Sequence, residues 1–229
     1  MMLTGRATRR IAVRGLIVVV VAPVIACLLL AVFPVPVTPL ILIRAAEGAG
    51  RERQWAPLDR ISTHLAASVI AGEDSQFCRH VGFDAEALEK AWRGYSASGR
   101  TRPLRGGSTI TQQTVKNVFL WPERSWLRKG LEAWLTIYAE VFWSKRRTLE
   151  IYLNVVEWGD GLYGAEAAAR KYFGKSAAAL TAAEAARMAA VLPSPRKWSV
   201  TAPGPYVSRR AATIRARAER LGPLLDCLN

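Results

Sequence analysis

The chain has 229 residues, 51% of them hydrophobic, and a formal charge of +14. That length holds one domain of ordinary size and little else, and the charge requires an anionic partner or surface without choosing among nucleic acid, phospholipid and a phosphorylated substrate. Two histidines, His64 and His80, are too few for a histidine-based metal site, so the choice among partners has to come from other residues.

Residues 15–33, GLIVVVVAPVIACLLLAVF, carry no charge and at helical rise would span roughly 28 Å, about one hydrocarbon core. Arg6, Arg9, Arg10 and Arg14 precede the run, and the positive-inside bias then expects the N-terminus in the cytoplasm and the rest outside. A cleaved signal peptide is the rival reading, but the run is long for one and no small-x-small site follows before FPVPVTP. The expected organisation is a cytoplasmic basic tail at 1–14, one transmembrane helix at 15–34, a stiff Pro-punctuated linker at 35–54 and a folded domain at 55–222. Its expected location is the inner (cytoplasmic) membrane, single-pass, with that domain periplasmic or otherwise extracytoplasmic.

Past the linker the pattern is helical. Ile61, Leu65, Val69 and Ile70 have helical spacing and predict a helix ending near Gly72. Basic, Gly- and Pro-containing residues 95–107, with Arg100, Arg102 and Arg105, predict a mobile loop. Helices are then expected over TITQQTVKNVFL and over SWLRKGLEAWLTIYAEVFW, the latter with Ser125 as cap. Further Ala-rich helices are expected at 148–156, 164–173, 181–191 and 206–221. No alternating strand set stands out, so the domain reads as mostly α. Cys27 lies in the apolar run, while Cys78 and Cys227 are free to pair or not as far as the sequence goes. The aromatics Phe119, Trp121, Trp126, Trp134, Phe142 and Trp143, mixed with basic residues, suit interfacial contact, with core packing the default for most of them.

Two places carry chemistry. Glu73 and Asp74 stand side by side just past the first helix. On a helix starting at Ser108 or Thr109, the residues Thr109, Gln113 and Lys116 share one face, and Gly106 and Gly107 would let backbone amides meet a phosphate at its N-terminus. The bland alternative is a capped, solvated helix. Arg128 and Glu132 are likewise either a surface ion pair or a carboxylate orienting cations toward a diphosphate.

The ordered motifs EDSQFCRHVGFD, GGSTITQQTVKN, RKGLE, KRRTLEIYLN and GLYGAEAAARKYFGK resemble the peptidoglycan glycosyltransferase family that polymerises lipid II, most closely its monofunctional members. The resemblance covers roughly residues 55–220. It implies an all-α, lysozyme-like glycosyltransferase domain with a small membrane-proximal lobe, preceded by the one N-terminal transmembrane helix, and a role in cell-wall biogenesis. Glu73 is then the general base that deprotonates the acceptor sugar's 4-hydroxyl, with Asp74 as its supporting neighbour and Glu132 as the second catalytic carboxylate. The implied substrate contacts are Phe77, His80, Ser108, Thr109, Gln112, Gln113, Lys116, Asn117, Arg128, Lys129 and Lys145, the cations meeting the charge that develops on a leaving diphosphate. Glu132 either steers those cations or ligates a divalent ion, Mg or Mn, bridging the diphosphate. Glu150 and Asn154 read as structural, and Thr148 replaces the usual isoleucine of its motif. The implied partners are lipid II, the growing glycan strand, the membrane and, left open, cell-wall synthesis proteins. Outward topology argues against nucleic acid.

Rival readings are a lysozyme-like glycan-cleaving enzyme and a noncatalytic cell-wall scaffold. Retention of both Glu73 and Glu132 argues against the scaffold. The cations between Lys116 and Arg147 suit a diphosphate donor better than neutral glycan. SPRK at Ser194 fits an acyl-transfer SxxK only by its letters, since no KTG or SDN motif accompanies it.

Overall fold

The structure is a computed structural model, and it describes residues 9–10, 15, 17–86, 89, 93, 96, 107–123, 125–221 and 225–228. Arg6, Arg14, Gly106 and the arginines of the basic loop expected over 95–107 lie outside the described residues.

The N-terminal apolar run does not form one long helix. Ile17–Val21 is a π-helical turn and α1 follows at Ala22–Val32. At 11 residues α1 is about 16 Å long, roughly half a hydrocarbon core. Pro23, near its start, has no N–H to give to the preceding turn. At the other end Phe33 is extended (φ −90°, ψ 146°), as expected before Pro34. The C-terminal part of α1 is tied down: Trp143 Nε1 donates to the carbonyl of Cys27 (2.8 Å), and Arg147 donates to those of Leu30 (2.9 Å) and Phe33 (2.5 Å). Among the described residues no helix is long and apolar enough to cross a membrane. The expected transmembrane helix at 15–34 is therefore corrected, and with it the single-pass inner-membrane location. The topological argument against a nucleic-acid partner goes with them.

Within the expected linker, Thr38 caps and Pro39 begins α2, Pro39–Ala46, which buries Ile41. The helices of the domain follow: α3 (Thr63–Glu73), α4 (Ile110–Phe119), α5 (Trp126–Phe142), α6 (Lys145–Val155), α7 (Ala165–Phe173), α8 (Ala182–Val191) and α9 (Pro205–Arg220). Their starts carry local signals, with Ser62, Ser125 and Ser144 accepting first-turn amides and a Thr181–Glu184 capping box at α8. A small sheet in the order β1-β3-β2 joins them, made of β1 (Glu52–Arg53), β2 (Glu157–Gly159) and β3 (Leu162–Tyr163). β1 runs parallel to β3 and β2 antiparallel to it. The turn between β2 and β3 needs glycine at Gly161: φ is +64°, and a Cβ there would sit 2.3 Å from Gly50 N.

Two apolar clusters form the core. One packs Leu65, Val69 and Ile70 of α3 against the alanine-rich α7 and α8, with Val207 and Ile214 of α9 and the fully buried Trp158. The other gathers Cys27, Val35, Leu135, Ala139 and Trp143 around α1 and α5. Helices α4 and α6 contribute to both: Ile110, Leu149 and Tyr152 face the first, Val115, Val118, Ile151 and Val155 the second. Polar side chains carried by α4 are thereby held where the clusters meet. Asn154 and Glu150 serve the frame: Asn154 exchanges hydrogen bonds with both backbone groups of Ala56 (2.8 Å each), and Glu150 accepts from Leu58 N (2.9 Å). Of the aromatics, Trp143 is buried and stacks on Phe119, whereas Trp126 is 92% exposed.

Candidate active site

Glu73 is the last residue of α3, and Asp74, just past it, leaves helical geometry (φ −161°, ψ 74°). This break turns the two neighbouring carboxylates in different directions. Asp74 is buried and points at the start of α4, where its Oδ2 accepts from Ile110 N (2.8 Å), while both its oxygens lie 2.9–3.0 Å from His80 Nε2. Glu73 instead meets Gln113, whose Nε2 donates to Oε2 (3.1 Å), and Arg210, whose Nη2 donates to Oε1 (3.3 Å). Tyr152 in turn donates to Gln113 Oε1 (3.3 Å) and orients the amide.

At the N-terminus of α4 the Thr109, Ile110 and Gln112 amides already have side-chain acceptors. Thr109 and Gln112 form a capping box, the Thr109 hydroxyl also donates to Gly82 O (2.6 Å), and Asp74 takes the Ile110 amide. Asp74 occupies the seat the sequence offered to a phosphate. Gly82 is required there: at φ +74° a Cβ would lie 2.8 Å from both Glu140 Cγ and Thr136 Cγ2.

The cations converge elsewhere. Glu132 is buried and accepts from Arg128 (2.5 Å) and, in a close pair, from Lys129, whose ammonium also reaches Ser108 Oγ (3.3 Å). Lys116, two helical turns into α4, makes no ion pair among the described residues. Burial pushes its pKa down, Glu132 partly restores it, and Arg128 and Lys129 lower it further. Glu73 acts on it as well, so Lys116 joins the carboxylate end of the site to its cationic end. Burial raises the Glu73 pKa, against the lowering influence of Gln113, Arg210 and Lys116; Asp74 adds a smaller upward push. A partly desolvated carboxylate that is hydrogen-bonded and still ionisable can accept a proton, and an underneutralised cationic cluster beside it can receive an anion.

The remaining expected residues have other surroundings. Phe77 is fully buried, with the Lys145 ammonium 4.9 Å from its ring centroid; Lys145 pairs with Glu140 (2.9 Å), which also accepts from Thr111 (2.6 Å). His80 is nearly covered and engaged by Asp74, and Asn117 is buried in α4. A divalent ion does not fit Glu132: its two oxygens are taken by Arg128 and Lys129, and among the described residues no three His, Cys, Asp or Glu side chains converge as ligands. Arg210 and Tyr152 were not among the expected contacts. Tyr152 lies within a motif that marks its neighbourhood, but nothing local marks Arg210, 137 positions from Glu73. Cys78 and Cys227 form a disulfide that ties the segment between Asp74 and His80 to the C-terminal turn.

A family model described as Transglycosylase matches residues 41–219. Among curated proteins, the biosynthetic peptidoglycan transglycosylase of Caulobacter vibrioides is 53% identical over 98% of this chain and 99% of its own length. That of Rhodospirillum centenum is 57% identical over 80% of this chain and 79% of its own. A Xanthomonas campestris protein of the same description is 50% identical over 88% of this chain and 83% of its own. With matches of this extent on a helical domain that brings Glu73 and the Lys116 cluster together, the chain belongs to the biosynthetic peptidoglycan glycosyltransferase family and is an enzyme of that class.

Proposed function

We propose that this enzyme polymerises lipid II into β-1,4-linked glycan strands through its 55–222 domain. Glu73 accepts the proton of the acceptor N-acetylglucosamine 4-hydroxyl, and the oxygen's electron pair attacks C1 of the donor muramic acid. The bond from C1 to the diphosphate breaks from the opposite face, so the configuration inverts. The electrons of that bond leave with undecaprenyl diphosphate, whose charge is received by Lys116, Arg128 and Lys129. Glu132 keeps Arg128 and Lys129 in place, and Asp74 and Gln113 hold the elements on either side of the base. The observation that carries this reading is the desolvated Glu73 within electrostatic reach of a cationic group centred on Lys116. Neutral glycan offers such a group nothing to neutralise, whereas a diphosphate donor does. The lipid tail of the substrate keeps the reaction at a membrane surface, and the exposed apolar side chains of α1 and α5, Leu28, Val32, Leu127 and Val141 among them, suit that setting.

The test is to incubate the purified protein with labelled lipid II and to follow glycan and lipid products together. Long strands cleavable by a muramidase, formed with one lipid diphosphate released per disaccharide joined, support the reading. Cleavage of finished glycan with no use of lipid II would replace it by the lysozyme-like alternative.

A further inference from the structure

We propose that Arg210, delivered by α9, is a positioning residue for Glu73, its guanidinium clamping one carboxylate oxygen to the end of α3 while Gln113 holds the other. This rests on the base role given to Glu73 above. Arg210 Nη2 donates both to Glu73 Oε1 (3.3 Å) and to the carbonyl of Gly72 (3.2 Å), an unpaired acceptor type at a helix C-terminus. The two oxygens of Glu73 are therefore restrained from two helices remote in sequence, α9 and α4.

The close approach depends on packing. Val207, Ala211 and Ile214 are buried and seat α9 against α3, and at Gly72 even a Cβ would lie 3.1 Å from Ile214 Cδ1. A side chain at position 72 would need Ile214 Cδ1 to give by a few tenths of an ångström. The guanidinium is incompletely satisfied, with Nε buried and lacking a partner, so the contact is a costly one if its only role is stability.

The charged and titratable groups facing Glu73 are Arg210 from α9, Lys116 from α4, Asp74 with its partner His80 on the following segment, and Tyr152 from α6. Burial favours the protonated base, and Arg210 and Lys116 oppose it. Arg210 is the cation in direct contact. Its loss leaves a carboxyl that ionises at higher pH and has one oxygen free to turn.

The experiment measures kcat/KM for lipid II polymerisation against pH in wild type, Arg210→Gln and Arg210→Lys, with melting temperatures alongside. The acid limb should move to higher pH in Arg210→Gln, by about one unit for a contact of this length and exposure. Arg210→Lys, which keeps the charge without the fork, should move it less. In a Glu73→Gln background, Arg210→Gln should cause no further loss. A limb that stays put while the rate drops at every pH, or a raised KM with an unmoved limb, would overturn the clamp. If Arg210→Gln does not fold, Arg210→Met is read in its place, and an unmoved limb there overturns it equally. Near-normal polymerisation by Glu73→Gln alone removes the base assignment and the clamp with it, whereas an inactive Glu73→Gln with unmoved Arg210 profiles removes only the clamp.

Discussion

Replacing Asp74 by Ala should unfold the start of α4 more than it should abolish any single chemical step. The carboxylate is buried, accepts the Ile110 amide at 2.8 Å and engages His80 Nε2 at 2.9 and 3.0 Å. Alanine leaves the Ile110 N–H without a partner in a dry position, which costs about 1–3 kcal/mol. His80, whose Nδ1 is already buried without a partner, loses its remaining bond at a similar cost of about 1–3 kcal/mol. Removing an anion from the positive end of a helix adds about 0.3–1 kcal/mol, and release of a buried carboxylate returns part of the total. The net expectation is about 3–5 kcal/mol, or a melting temperature lower by roughly 10 °C for a chain of this size. Asp74→Asn keeps one acceptor and should lose about 1–2 kcal/mol. Thermal and urea unfolding of the two variants measure this. A melting temperature for Asp74→Ala within about 2 °C of wild type would refute the assignment of Asp74 as the anchor of α4.

Lys116→Ala should slow polymerisation by about 2–4 kcal/mol, roughly thirty- to a thousand-fold, if the ammonium meets charge that develops only as the diphosphate leaves. Its stability should hold, because a desolvated cation with no ion-pair partner among the described residues is removed; turnover within twofold of wild type would argue for a merely solvated helix face. Cys78→Ser should lower stability by about 2–4 kcal/mol, since the bridge closes a loop of 149 residues in the unfolded chain. Reductant should destabilise wild type by the same amount and leave the variant unmoved, and unequal effects would show that the serine acts through packing.

Much of this molecule could be read from its residues because helix starts are local events. Ser125 and Thr181 cap the helices they precede, and the buried positions of 165–169 and 185–191 are mostly alanine, as their composition suggests. The small sheet escaped because strands of two or three residues cannot display a period. The Thr38-Pro39 pair was a readable helix start inside what looked like a linker. In the apolar run, length and freedom from charge showed neither the change from π to α geometry at Ala22 nor the anchoring of α1 by Trp143 and Arg147. The helix expected to carry Thr109, Gln113 and Lys116 is present, with Thr109 as its cap and Asp74 on the Ile110 amide beside it. Arg210 lay beyond reach, because its contact with Glu73 exists only once α3 and α9 pack together.

The account turns on Glu73 as the base. Its folded pKa is raised by burial, so the ionised form is held at a cost: the stabilising contribution of the neutral acid is fully present below the unfolded value and is lost as pH rises through the higher folded one. Glu73→Gln keeps the shape without ionising, and at neutral pH it should melt at or above the wild-type temperature. The most direct measurement is the initial rate of glycan formation from lipid II by this folded variant. The account predicts a loss of at least about a hundredfold, in keeping with removal of a general base. Polymerisation at a near-normal rate would contradict it.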